Sequence, residues 1–259
     1  MAVIIAITNQ KGGVGKTTTA AALIASLAKR GKKVLGVDLD PQGNLGFSLG
    51  VDIENSHTIY EVFKKQISIE QALCPMAYGD LLASNILLSG VELEFNRAGR
   101  EYMLKTELTP LQDRYDFIIV DTPPALNLLT VNAYVASDKL IIPMAPEILS
   151  LLGVAQIKET IETVRQYYNP RLSVIGILLN KFNARLNLNR DVLELSQQIA
   201  QQLDTQVFET KIRQSVLVAE APAHGQSVVT YAPNCKPSQD FSALVDEILG
   251  LDQNTTVGG

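Results

Sequence analysis

Gln10-Lys11-Gly12-Gly13-Val14-Gly15-Lys16-Thr17-Thr18 decides how this chain folds. The apolar run Val3–Thr8 precedes it and reads as a strand, and Thr17–Arg30 follows it and reads as a helix. Glycine adopts positive φ without steric cost. Gly12, Gly13 and Gly15 therefore let the backbone turn tightly and aim consecutive N–H groups at an anion. A helix starting at the same point adds the positive end of its dipole. Lys16 can then reach the terminal phosphates of a nucleotide, and the Thr17 hydroxyl can ligate Mg²⁺.

Outward from this loop, short apolar runs alternate with longer amphipathic stretches. Strands are expected at Val3–Thr8, Lys33–Asp38, Asp80–Ala83, Phe117–Asp121, Lys139–Pro143 and Leu172–Leu179. Helices are expected at Thr17–Arg30, Thr58–Lys65, Val91–Leu108, Leu151–Tyr168 and Leu188–Leu203. The runs Ile4–Ile7, Phe117–Val120 and Val174–Leu179 are continuously apolar instead of alternating, as in strands covered on both faces. The pattern predicts an α/β fold: one domain, residues 1–250, with a mostly parallel twisted sheet flanked by helices. Phe241, Leu244, Val245, Ile248 and Leu249 recur at helical spacing, which predicts a terminal helix docked on the core, and a polar tail is expected over 251–259.

Composition narrows the function classes. With 46% apolar and 19% charged residues the chain can bury a large core. No apolar run reaches the roughly 18 residues of a membrane span. The N-terminal MAVIIAIT lacks a basic region and a cleavage site, so it is expected to be a strand and not a signal peptide. Cys74 and Cys235 are isolated, which favours reduced thiols and a cytoplasmic protein and disfavours a cysteine-held cluster. A net charge of −5 argues against coating nucleic acid through overall charge, while leaving room for a local basic patch.

Further polar residues fall at expected strand ends. Asp38 and Asp40 lie in Val37-Asp38-Leu39-Asp40-Pro41, and Asp121 ends Phe117–Asp121. Carboxylates close to a polyphosphate are costly unless they hold Mg²⁺ or handle protons. An apolar strand ending in Asp, downstream of a phosphate loop, suits Mg²⁺ held through water. Asn180 and Lys181 end a later strand. Lys11 has no task in an ordinary P-loop, and the residues alone leave it open as a solvated turn residue.

Lys11–Thr18 resembles the deviant Walker A box of the ParA/MinD superfamily, with Gln10 at the usual first-glycine position. That resemblance implies that Lys11 crosses a dimer interface to the partner's nucleotide and that ATP joins two subunits. It also implies that Asp40 orients the attacking water, Asp38 supports the Mg²⁺ region, Asp121 opens a switch, and Asn180 meets the adenine edge. The catalytic set is then Lys11, Lys16 and Asp40, and the metal set Thr17, Asp38 and Asp121. The nucleotide set is Lys11, Gly12, Gly13, Val14, Gly15, Lys16, Thr17, Thr18 and Asn180.

Leu87–Glu94, Glu220-Ala221-Pro222-Ala223-His224-Gly225 and Tyr231-Ala232-Pro233 are similar to the small ParA/Soj-type branch. This implies an ATP-dependent homodimer on nonspecific duplex DNA of the nucleoid, moving plasmid, chromosome or protein cargo. A ParB-like protein would stimulate hydrolysis. Lys181, Arg185, Arg190, Lys211 and Arg213 are the candidate DNA contacts, with Lys236 nearby, although Gln214 and Leu217 occupy positions commonly basic in that branch. The loop opens at Gln10, so no helix-turn-helix is expected before it. The acidic terminal helix disfavours MinD-like membrane binding. An ATP-gated protein scaffold without DNA is the alternative.

Overall fold

Strand-length aliphatic runs between polar turns can bury both faces only as the middle layer of a sandwich. The computed structural model describes residues 1–96, 98–146, 154–183 and 187–256, with side chains described except at 154, 187–191 and 252–256. Seven strands form one sheet: β1 (Val3–Ile7), β2 (Val34–Asp38), β3 (Leu73–Met76), β4 (Gly79–Leu82), β5 (Phe117–Asp121), β6 (Lys139–Met144) and β7 (Ser173–Leu179). Their order is β3-β4-β2-β5-β1-β6-β7, and every pairing is parallel except β3 with β4.

Alternate side chains along each strand feed opposite layers. Ile5 and Ile7 pack with α1 (Lys16–Ala28) and the C-terminal part of the chain. Ile4 and Ala6 pack into the other layer, with Leu35, Val37, Ile118 and Val120. α1 is alanine-rich and buried along most of its length. That buried face suits a helix pressed between the sheet and other helices.

The remaining helices described are α2 (Asn44–Ser48), α3 (Ile59–Phe63), α4 (Val91–Glu94), α5 (Met103–Leu108), α6 (Leu128–Ala136), α7 (Val154–Tyr167), α8 (Asn187–Gln202), α9 (Leu217–Glu220), α10 (Val228–Tyr231) and α11 (Lys236–Thr256). α11 docks through Phe241, Leu244, Val245 and Ile248, all at most 2% exposed. Arg30 at the end of α1 clamps it by bonding Asp246 Oδ1 at 2.6 Å and the Ser242 carbonyl at 2.7 Å. The helix continues through residues 251–256.

One local expectation is corrected. The single helix over Val91–Leu108 is broken: Phe95 leaves the helical region at φ −106 and ψ 65, and Gly99 takes φ 81. A tight turn at Arg100–Tyr102 then restarts the chain as α5. The strand expected at Asp80–Ala83 is β4, and it forms a hairpin with the antiparallel edge strand β3. The segment 151–153, expected to open a helix, lies outside the described residues, and α7 is described from Val154.

Candidate nucleotide-binding site

The sheet register builds the site. Ile7 pairs with Asp121, and Asp121 pairs with Asp38, so β1, β5 and β2 end level at their carboxyl edge. The loop 8–15 leaves β1 at that edge, where β5 lies on one side of β1 and β6 on the other. Open parallel sheets hold ligands at such a topological switch point.

Gly13 and Gly15 adopt φ 75 and φ 91, the left-handed conformation that turns the chain into α1. Side-chain donors hold the loop's carbonyls. Lys16 Nζ donates to the Lys11 carbonyl at 3.1 Å, Lys181 Nζ to Gly13 at 3.0 Å, and Asn180 Nδ2 to Val14 at 2.8 Å. The Gly13 and Val14 carbonyls are thus engaged by side chains from beyond the loop, and the N–H groups of such a glycine turn suit an anion. Asn9 fixes the entrance: its Nδ2 donates to the Pro143 carbonyl and its Oδ1 accepts from the Lys11 N–H. Asn180 also explains Gly15, because a β-carbon there would sit 2.6 Å from Asn180 Nδ2.

Lys16 is 7% exposed. Burial pulls its ammonium below the ordinary lysine range, while the carboxylates of Asp121 and Asp40 pull it back up. Asp121 is fully buried, and neither carboxylate oxygen has a hydrogen bond of ordinary geometry. Burial pushes its pKa up to about 7. The Asp40 charge adds to that rise, against the Thr17 hydroxyl, the Lys16 ammonium and the Thr122 N–H. Asp38, also fully buried, is pushed well above the carboxylate range by burial and by Asp121.

Asp38 has structural work of its own. Its Oδ1 accepts the Asp40 N–H at 3.0 Å, and its Oδ2 accepts the Leu45 N–H at 3.0 Å and the Gly46 N–H at 3.4 Å. It therefore caps α2 and shapes the turn that presents Asp40. Asp40 is 7% exposed and its Oδ1 accepts the Gln42 N–H.

A buried carboxylate with two unsatisfied oxygens, beside a threonine hydroxyl and a lysine, is a poor resting arrangement but a good cation and phosphate site. The residues present fit Mg²⁺ and a nucleotide polyphosphate: Thr17 and Asp121 for the cation, Lys16 and the loop N–H groups for the anion. Thr17 and Thr18 sit half-buried in the first turn of α1, whereas Lys11 is half-buried and Gly12 and Gly13 are exposed on the outer limb.

The DNA candidates are scattered. Lys181 is at the phosphate loop. Arg213 forms a two-bond pair with Asp240, Nη2 to Oδ1 at 2.6 Å and Nε to Oδ2 at 2.9 Å, and Lys211 Nζ donates to the Glu209 carbonyl. The Lys236 carbonyl accepts from Arg213, which places Arg213 at the start of α11. Arg185 lies outside the described residues, and so does the side chain of Arg190. Sequence reasoning missed Asn9 and the loop-holding roles of Asn180 and Lys181, since nothing in a linear pattern says which carbonyl a distant side chain meets.

Fold and site together define a P-loop nucleoside triphosphatase. A family model described as an AAA domain matches residues 2–174. The chain is 40% identical over 253 residues to the chromosome partitioning protein ParA of Myxococcus xanthus, covering 96% of this chain and 88% of that protein. It is 37% identical over 252 residues to the sporulation initiation inhibitor protein Soj of Bacillus subtilis, covering 96% and 98%. A solved structure of a cobyrinic acid a,c-diamide synthase from Mycobacterium smegmatis, with bound ADP and magnesium, superposes with a TM-score of 0.84 at 36% identity, covering 96% and 94%. The chain belongs to the ParA/Soj family within the ParA/MinD superfamily. It is an ATP hydrolase that uses ATP and Mg²⁺, of the partitioning and positioning type.

Proposed function

We propose that this ATPase is a nucleotide-gated switch: two ATP-bound copies pair, and the pair binds duplex DNA without sequence preference. A ParB-like protein stimulates hydrolysis and resets the switch while the cargo moves across the nucleoid in the cytoplasm. The observation that supports this reading is the division of labour between the two loop lysines. Lys16 is buried inside the turn, and Lys11 lies on its outer limb beside exposed glycines, where a second subunit can be met.

In this account Lys16, the N–H groups of Gly12–Thr18 and the partner's Lys11 hold the phosphates. Thr17 and Asp121 hold Mg²⁺, which when bound neutralises charge on the phosphate oxygens. Asp38 keeps α2 and Asp40 in register, and Asp40 orients the water for transfer of the terminal phosphoryl group. Asn180 offers its unpaired, buried Oδ1 toward the adenine edge. Lys211 and Arg213 belong to the DNA face, which pairing doubles, and Arg185 and Arg190 are further candidate DNA contacts.

A protein-only scaffold is the second reading. It is favoured by the Arg213–Asp240 pair, which offsets the charge of one of the candidate DNA contacts. Binding to random-sequence duplex, in ATP and in ADP at two salt concentrations, separates the two. DNA binding that needs ATP, weakens with salt and is lost in Lys211→Ala/Arg213→Ala supports the DNA switch. Intact hydrolysis with no DNA binding in either nucleotide supports the scaffold.

A further inference from the structure

Lys181 entered as a candidate DNA contact, yet its ammonium lies 3.0 Å from the Gly13 carbonyl, across 168 residues of sequence. We infer that Lys181 is a positioning residue of the ATP site: with Asn180 it forms a two-residue clasp that holds the phosphate loop in its binding shape.

Three observations meet here. First, Lys181 takes φ 54, left-handed backbone for a residue with a long side chain. Such a conformation is strained and persists where something else holds it. Consecutive side chains of a strand point to opposite faces. The left-handed turn directly after β7 breaks that alternation, so Asn180 and Lys181 both converge on one loop. Second, the two donors take adjacent carbonyls, Val14 by Asn180 Nδ2 at 2.8 Å and Gly13 by Lys181 Nζ at 3.0 Å. Asn180 Nδ2 also reaches Thr19 Oγ1 at 3.3 Å, which ties the clasp to α1. Third, Gly13 is exposed and left-handed, and a β-carbon there would meet nothing within 4 Å. No side chain packs at Gly13 itself, so the hydrogen bond from Lys181 is what restrains that carbonyl.

A loop held in its bound shape loses less conformational entropy when ATP arrives. The clasp therefore acts on nucleotide affinity. An intramolecular hydrogen bond of this kind is worth about 0.5–1.5 kcal/mol, or about two- to twelvefold in a dissociation constant.

The experiment is titration of the full chain with fluorescent ADP and ATP in Mg²⁺, using Lys181→Met, which keeps the stem and drops the donor, and Lys181→Arg, which restores a donor. Binding of each to random duplex is measured in parallel at saturating ATP, and nucleotide-free melting controls for folding. Lys181→Met is expected to weaken both nucleotides by about fivefold and raise the KM for hydrolysis by a similar factor. Lys181→Arg should recover most of that loss, and DNA binding at saturating ATP should change by less than twofold. Unchanged nucleotide affinity in Lys181→Met would overturn the inference, and a fall confined to DNA binding would return the residue to the DNA face. Equal losses in the Met and Arg variants would also overturn it, since the donor would then be irrelevant.

Discussion

Replacing Asp121 with Asn should make the nucleotide-free protein more stable while destroying its Mg²⁺-dependent activity. Asp121 and Asp38 are paired across β5 and β2, both fully buried, and Asp121 has no hydrogen bond of ordinary geometry on either oxygen. Burial first, and the Asp40 charge with it, lifts Asp121 from 3.8 to about 7. At about 1.4 kcal/mol per pH unit, the ionised form costs the fold up to about 4 kcal/mol. A carboxyl whose pKa is raised on folding is destabilising above its unfolded pKa. The penalty is largest above pH 7 and shrinks as pH falls and the folded protein takes up the proton. At pH 5 under about 2 kcal/mol remains.

The asparagine amide has Asp38 beside it and no charge to desolvate. Melting of the nucleotide-free protein at pH 8 should therefore rise by about 5–10 °C in Asp121→Asn, and the gain should be at least halved at pH 5. Mg²⁺–ATP should stabilise the wild type and leave the variant nearly unmoved. A variant less stable than wild type at pH 8, or a gain that does not depend on pH, would refute the reasoning.

Three further outcomes follow from the same geometry. Gly15→Ala puts a β-carbon 2.6 Å from Asn180 Nδ2 at a backbone φ of 91, and should lower the melting temperature and weaken ATP at least tenfold by calorimetric titration. Lys16→Met removes the buried ammonium and should abolish ATP binding in the same titration, while nucleotide-free melting stays close to wild type or rises. Asp40→Ala should keep ATP affinity within a few-fold and cut hydrolysis at least a hundredfold in a phosphate-release assay; wild-type turnover would remove it from the water-orienting role.

Most of the sheet was legible because fully buried strands are written as unbroken aliphatic runs, and Phe117–Asp121 falls where that pattern puts it. β3 was not. Leu73-Cys74-Pro75-Met76 is short, holds a proline that only an edge strand tolerates, and owes its existence to the hairpin with β4. α6 was also missed: Leu128, Leu129, Ala133, Tyr134 and Val135 are all buried, and a helix covered on every side shows no period. The helix over 91–108 was read as continuous because apolar spacing carries on through the break, while Gly99 turns the backbone left-handed.

At the site, the spacing of glycines, lysines and strand-end carboxylates was enough to locate the loop and the acidic residues. It could not reveal that Asp38 caps α2 or that Lys181 faces the loop, because both depend on which distant backbone group lies opposite. Without that contact Lys181 reads as a candidate DNA contact. Arg213 stands where a basic face was expected, and α11 supplies Asp240 against it, a pairing between residues 27 apart in sequence.

Sedimentation velocity of Asp40→Ala, alone and combined with Lys11→Ala, in ATP–Mg²⁺ and in ADP–Mg²⁺, with and without random duplex, tests the central claim most directly. The account predicts that the single variant is a dimer in ATP, travels with DNA, and is a monomer off DNA in ADP, while the double variant binds ATP but stays monomeric in every condition. A monomer in ATP that hydrolysis-deficient protein cannot escape, or a dimer that forms equally in ADP or without Lys11, would contradict it.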